Sequence, residues 1–310
     1  MMEKDAKIYV AGHRGMAGQA ICRELHNRGY TNIIGRTSRE LDLRDQSAVQ
    51  RFFQEEKPEC VILAAAKVGG IMANIQAPAE FLYDNLMIEA NIVHNAYRCG
   101  ASKLLFLASS CIYPRNAPQP MKEEYLMTGK VEPTNEGYAI AKIAGMKLCE
   151  MYNKQYHTDF ISVMPCNLYG YGDNFDPIRS HVVPALIRRF HEAKNEGASE
   201  VVIWGTGKAR RELLFAEDMA QACVFLLENY SGNDFFNIGT GQDVSIAELA
   251  TVIAEVVGYH GKIHFDATKP DGMPQKLLDV EKLTQYGWKC KTELRDGLQK
   301  TYDWFLRNVT

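Results

Sequence analysis

Three features of the sequence predict an α/β fold with a doubly wound parallel sheet. Short, almost continuously apolar runs alternate with amphipathic helical patterns through the first half of the chain, the rhythm of strands covered by helices on both faces. A cluster of glycines separates the first such run from the first helical pattern. The length, 310 residues of which 46% are hydrophobic and 24% charged, suits one large α/β unit or two packed domains with ample core. Right-handed crossovers then place ligands beyond the C-terminal ends of the strands.

Lys7 to Ala11 is β-rich and precedes a helical pattern from about Ala17 to Arg28. Thr31 to Gly35 reads as a strand and Gln46 to Glu56 as a helix. Cys60 to Ala65 is the third strand, Pro78 to Cys99 a long helix, and Lys103 to Ala108 the fourth strand. A second long helix, Glu136 to Tyr156, leads to the strand Phe160 to Met164. From about Asn167 the rhythm breaks into loops such as Tyr169 to Pro177. Pieces of helix or strand pattern follow at His181 to Asn195, Glu200 to Trp204, Ala216 to Glu228, Ser245 to Val257 and Arg295 to Arg307. The expectation is a Rossmann-type nucleotide-binding domain over residues 1–166 and a smaller α/β C-terminal substrate domain over 167–310, with some later segments returning to the first.

Net charge is −3 and no basic stripe dominates any segment, which excludes the electrostatic footprint of a nucleic-acid binder. The longest apolar runs, such as Val61 to Ala66, are too short to span a bilayer, and no secretory leader pattern precedes the first strand. Cysteines at 22, 60, 99, 111, 149, 166, 223 and 290 have no metal-ligand spacing and read as reduced thiols, mostly core fillers. A soluble cytoplasmic protein without metal, membrane or nucleic-acid partner is expected.

Gly12-His13-Arg14-Gly15-Met16-Ala17-Gly18 lies between the strand Ile8 to Ala11 and a helix. A phosphate approaches closely only where side chains are missing, and a helix N-terminus adds free N–H groups and a favourable dipole. Strand, glycine triplet and helix in the first twenty residues point to a dinucleotide pyrophosphate site. Where the second strand ends, an NAD binder offers a carboxylate; this chain has Arg36-Thr37-Ser38-Arg39. Guanidinium and hydroxyl groups suit a 2′-phosphate, so the expected cofactor is NADP(H), with Arg14 closing on the same phosphate. The competing reading makes Arg36 and Arg39 solvated surface charges. Asp42 either accepts from the adenine amine or caps the next helix.

Tyr138 and Lys142, four apart in a helical pattern, share one helix face. A neighbouring ammonium favours the phenolate and brings the tyrosine proton closer to transfer, so Tyr138 can protonate an oxyanion as hydride reaches a carbonyl carbon. Ser109, at the end of the fourth strand, then orients that carbonyl.

These residues resemble the extended short-chain dehydrogenases/reductases that act on nucleotide sugars. Within them, the stretches "AGHRGM", "LAAAKVGGI", "SSCIYP", "EPTNEGYAIAKIAG", "NLYG", "DNF", "SHVVPALIRRFHEA" and "KPDG" look like the epimerase-reductases that turn GDP-4-keto-6-deoxy-D-mannose into GDP-L-fucose. The likeness covers nearly the whole chain. It implies that Cys111 and His181 are the base and acid that invert C3 and C5 of the sugar, whose hydrogens the 4-keto group acidifies. It further implies cofactor contacts from Leu43, Ala64, Ala65, Ala66, Leu107, Ala108, Pro165, Asn167, Leu168, Lys142 and His181. Arg189, Arg211 and Lys276 would meet the diphosphate, Trp204 would stack on or line the nucleotide, Asp271 would hold a ribose hydroxyl, and Asn167 would stand near the sugar and the nicotinamide. The two long helices resemble the four-helix interface of a homodimer.

Related dehydratases carry Thr-Asp-Glu where this chain has Ser109-Ser110-Cys111, and elimination of water would lack its carboxylates here. Related 4-epimerases have an inert residue at position 111. The alternatives are an epimerase-reductase of another GDP-4-keto sugar, in a colitose or heptose route, and a silent NADP-binding regulator. The chain departs from the family at Cys166, where threonine is usual, and at Tyr171-Gly172, where Pro-His is usual. Both bear on the sugar pocket.

Overall fold

The computed structural model describes residues 2–177, 180–269 and 271–310; of the "KPDG" stretch, Pro270 lies outside them. The chain runs β1 (Ile8–Ala11), α1 (Met16–Asn27), β2 (Ile33–Ile34), α2 (Gln46–Glu56), β3 (Cys60–Leu63), α3 (Ile71–Gln76), α4 (Pro78–Arg98), β4 (Lys103–Leu107), α5 (Glu136–Tyr156) and β5 (Phe160–Pro165). It continues through β6 (Asn167–Tyr169), α6 (Val182–Asn195), β7 (Glu200–Trp204), β8 (Arg210–Phe215), α7 (Ala216–Asn229) and β9 (Phe235–Ile238). The last elements are β10 (Asp243–Ser245), α8 (Ile246–Val257), β11 (Lys262–Asp266), β12 (Gln275–Lys276), α9 (Glu281–Gln285) and α10 (Leu294–Asn308).

Six parallel strands form the main sheet in the order β2-β1-β3-β4-β5-β9. Every residue of β1 and β3 is buried, because Ile, Val, Leu and Cys side chains meet helices above and below. α1 packs beside α7, and α4 packs against both α2 and α5. The reversal of strand order at β1 and β3 is the topological switch point where such sheets bind ligands.

β9 and α7 come from the C-terminal half yet complete this first unit. β9 is "FFNI", a short apolar run with no periodicity to betray it, and it pairs with β5 through Ser162–Pro165. The remaining C-terminal elements make a small mixed sheet, β10-β8-β12 with β6 on β8, and a two-stranded ribbon of β7 and β11. They bury a second core in which Leu186, Ile187 and Phe190 of α6 meet Leu249 and Ile253 of α8 and Leu298 and Phe305 of α10. Strands of two or three residues carry too little pattern to be read from sequence.

Two strands end earlier than their apolar runs. β3 stops at Leu63 and β4 at Leu107, so the residues just beyond them leave the ladder and face the cleft described below. The α2 cap is Asp45, whose side chain accepts from the Ala48 N–H, and Asp42 is left for other work. All eight cysteines are free thiols. Among the described residues no helix is long and apolar enough to cross a membrane, and no cluster of His, Cys, Asp or Glu has the makings of a metal site.

Candidate active site

A cleft of about 2020 Å³ runs along the C-terminal ends of the main sheet and under the smaller one. Its two ends are built by different means.

At the nucleotide end the backbone does the shaping. Gly12 has φ +87°, and a Cβ there would stand 2.7 Å from the Ala65 backbone nitrogen; only glycine makes this turn. A Cβ on Gly18 would stand 2.1 Å from the Gly12 carbonyl oxygen, so this position keeps α1 pressed against the loop. Over Gly15 a Cβ would find only that carbonyl, at 3.5 Å, and the space is open to the cleft. Gly15 is also the N-cap of α1, with no side-chain cap, which leaves the first-turn N–H groups of Met16, Ala17 and Gly18 and the helix dipole for an anion. This cradle fits a dinucleotide pyrophosphate. The His13 ring packs on Gly35, where a Cβ would be 2.4 Å away.

Beyond β2, Arg36, Ser38 and Arg39 line the cleft with Arg14 opposite. Arg36 is already engaged: its guanidinium lies 2.6 Å from Glu56 and donates to the Gly35 carbonyl. Among the described residues Arg14 and Arg39 take part in no ion pair, so they are the guanidiniums open to a 2′-phosphate. Asp42 accepts from Arg44 Nε at 2.9 Å and Nη2 at 2.8 Å, which holds its carboxyl below the usual range. Leu43 and Ala64, Ala65 and Ala66 complete the floor.

At the chemical end side chains converge. Leu107 ends β4, Ala108 follows, and Ser109 caps a single 3-10 turn, Ser110 to Ile112. The Cys111 N–H donates to Ser109 Oγ at 3.4 Å. Cys111 is 8% exposed, and what it exposes borders the cleft shared by Ser109, Tyr138, Lys142 and His181. Lys142, 2% exposed, donates to the Leu107 carbonyl at 3.0 Å; its Nζ lies 3.1 Å from Glu89 Oε1 and 5.8 Å from the Tyr138 ring centre.

The sequence led us to expect Lys142 to draw the Tyr138 phenol down. The structure differs: burial, then the charges of Cys111 and Glu89, hold the phenol well above its ordinary value, while the ammonium is matched by Glu89. His181, at the N-cap of α6, is exposed as a residue and borders the cleft; partial desolvation of its ring against the cleft wall, and then the Lys276 charge, make the imidazole less basic than usual. Lys276 is itself depressed by burial and sustained by Cys111. Cys111 thus acts on both Tyr138 and Lys276, and Lys276 acts in turn on His181.

Toward the smaller sheet, Asn167 donates to the Glu212 carbonyl at 3.1 Å and Arg211 to the Met273 carbonyl at 2.6 Å. Lys276 stands opposite Arg211 in the register of β12 and β8. Asp271 accepts from the Thr206 N–H at 2.6 Å and hydroxyl at 2.7 Å. All four border the cleft, as do Pro165, Cys166 and Leu168.

Two expected residues do not. Arg189 is exposed and donates to the Val202 carbonyl at 2.8 Å, and Trp204, 67% exposed, lies under Lys269. The bond to the β7 ribbon holds the Arg189 guanidinium outside the cleft. Of the departures from the family, Cys166 borders the cleft, whereas the Tyr171 ring packs on Phe215 outside it. Sequence reasoning missed Arg44, Lys67, Asn135 and Met273 on the cleft wall, and Glu89 beneath it. Lys67 had a signal, its place in "LAAAKVGGI" just after β3; Glu89 had none, being one acidic residue in a long helix.

Residues 8–239 match the model of the NAD dependent epimerase/dehydratase family. GDP-L-fucose synthase 1 of Arabidopsis thaliana is 59% identical over 309 residues, covering 100% of this chain and 96% of the plant protein. GDP-L-fucose synthase of Escherichia coli (strain K12) is 54% identical over 311 residues, with 97% of each covered. Among solved structures, a GDP-mannoheptose C4 reductase from Campylobacter jejuni with NADP bound is 41% identical with a TM-score of 0.92, covering 99% of this chain and 100% of that one. The chain belongs to the NAD dependent epimerase/dehydratase family and, within it, to the group of the GDP-L-fucose synthases.

Proposed function

We propose that the protein is a bifunctional enzyme that converts GDP-4-keto-6-deoxy-D-mannose to GDP-L-fucose by 3,5-epimerisation and NADPH-dependent 4-reduction. The observation that carries this is the thiol of Cys111 bordering the same cleft as Ser109, Tyr138 and Lys142. A reductase alone needs the last three; the thiol adds a base beside the carbonyl. The stronger identity to GDP-L-fucose synthases than to the heptose reductase favours the 6-deoxyhexose.

The glycine cradle would hold NADPH, with Arg14, Ser38 and Arg39 at its 2′-phosphate and Lys142 at the nicotinamide ribose, and the bound cofactor would supply the hydride for C4. Cys111 takes a proton from C3 or C5, and His181 returns one from the opposite face. Ser109 and Tyr138 hold the keto oxygen, and Tyr138 gives it a proton as hydride arrives. Arg211 and Lys276 meet the diphosphate.

The test uses deuterated water. With GDP-4-keto-6-deoxymannose and NADPH, the product should carry solvent deuterium at C3 and C5, and Cys111→Ser should cut that uptake by about 10²-fold or more while NADPH binding persists. Reduced product without deuterium would leave a simple reductase.

We also propose a cytoplasmic homodimer. Eight free thiols suit a reducing compartment, and fractionation of cells would test it. α4 and α5 pack against each other and leave the side chains of Tyr83, Met151 and Tyr156 exposed, as a pair of helices covered by the partner's pair would. Light scattering should give twice the mass of the chain.

A further inference from the structure

Glu89 is a buried carboxylate in mid-helix, 1% exposed, and among the described residues its one near charge of opposite sign is the Lys142 ammonium. The approach is 3.1 Å, but the aligned hydrogen bond of that ammonium goes to the Leu107 carbonyl, and neither Glu89 oxygen accepts a well-formed bond from any described residue. Glu212, equally buried, is different: it accepts from the N–H groups of Thr240, Gly241 and Leu278 and staples loops together. Glu89 staples nothing. Space for it is reserved by Gly145, one turn beyond Lys142, where a Cβ would stand 2.6 Å from Glu89 Oε2.

We propose that Glu89 is a positioning residue for carbonyl reduction, holding the Lys142 ammonium in place and setting the charge beneath Tyr138. The inference rests on the reaction proposed above. A buried ammonium is costly without a counter-charge, and Lys142 is nearly sealed from water. Among the described residues, the titratable groups that face Glu89 from α5 are Lys142, Tyr138 and Cys149, β4 contributes the Phe106 ring and the Leu107 carbonyl, and no charge from α2, α3 or β3 acts on it. Burial pushes the Glu89 carboxyl up to about 7 against the pull of Lys142. Above that pH the carboxylate is a negative neighbour that helps Tyr138 hold its proton. Removing it moves the alkaline limit of reduction downward.

Glu89→Gln keeps the shape and removes the charge. The alkaline limb of kcat for NADPH-dependent reduction should fall by about one pH unit, a tenfold loss on that limb. Deuterium uptake at C3 and C5, which uses Cys111 and His181, should be unchanged. Gly145→Ala, which displaces the carboxylate, should move the same limb the same way. An unmoved limb in both variants overturns the proposal, and so does a parallel loss of reduction and exchange, which would make Glu89 a support of the fold alone. Wild-type protein that reduces no GDP-keto sugar would instead refute the proposed reaction.

Discussion

The two proton-moving pairs of the cleft are built in opposite ways. Tyr138 and Lys142 stand one turn apart on α5, and the lysine is held from below by Leu107 and Glu89, all within the first core. Cys111 and His181 come from the turn after β4 and the N-cap of α6, a helix of the second core. Helix geometry sets the first pair; the docking of two cores sets the second. Hydride transfer and proton exchange should therefore be separable by mutation, and the second should be the more sensitive to how the cores sit.

The largest expected effect is Tyr138→Phe, which should slow reduction by about 10³-fold while solvent deuterium still enters C3 and C5. Equal loss of both activities, measured by NADPH absorbance and by NMR of the recovered sugar nucleotide, would break the comparison. Next, Leu186→Ala in α6 removes a buried side chain of the second core and should cost about 2–5 kcal/mol in urea unfolding. In the folded fraction it should lower deuterium uptake more than NADPH affinity, because His181 opens that helix while the glycine cradle belongs to the first core. The smallest effect is on pH. His181 must carry a proton to donate it, and the Lys276 charge lowers its basicity. Lys276→Met should raise the imidazole value, so the donor form persists to higher pH and the alkaline limb of exchange moves up by a fraction of a unit. A downward move would remove the coupling between Lys276 and His181.

Within this fold, legibility follows the range over which each feature is decided. The strands from Ile8 to Pro165 and the two long helices lie within a few residues of where periodicity put them, because burial on both faces writes itself into consecutive apolar residues. The short strands of the smaller sheet left no such mark, and β9 joined the main sheet from far along the chain. Among the site residues, the cradle was legible because Gly12, Gly15 and Gly18 each meet backbone or space within their own loop or the adjacent strand.

The sequence by itself determined the nucleotide-binding loop, the alternation of strands and helices up to β5 and the shared face of Tyr138 and Lys142, since each depends on spacings of a few residues along one strand, turn or helix. Only the tertiary structure decided that Arg36 is occupied by Glu56, that Arg189 and Trp204 stay outside the cleft, and that Lys142 is matched by Glu89. Those outcomes are contests among side chains from distant segments for the same space and charge. Nothing in the local chain settles which partner wins.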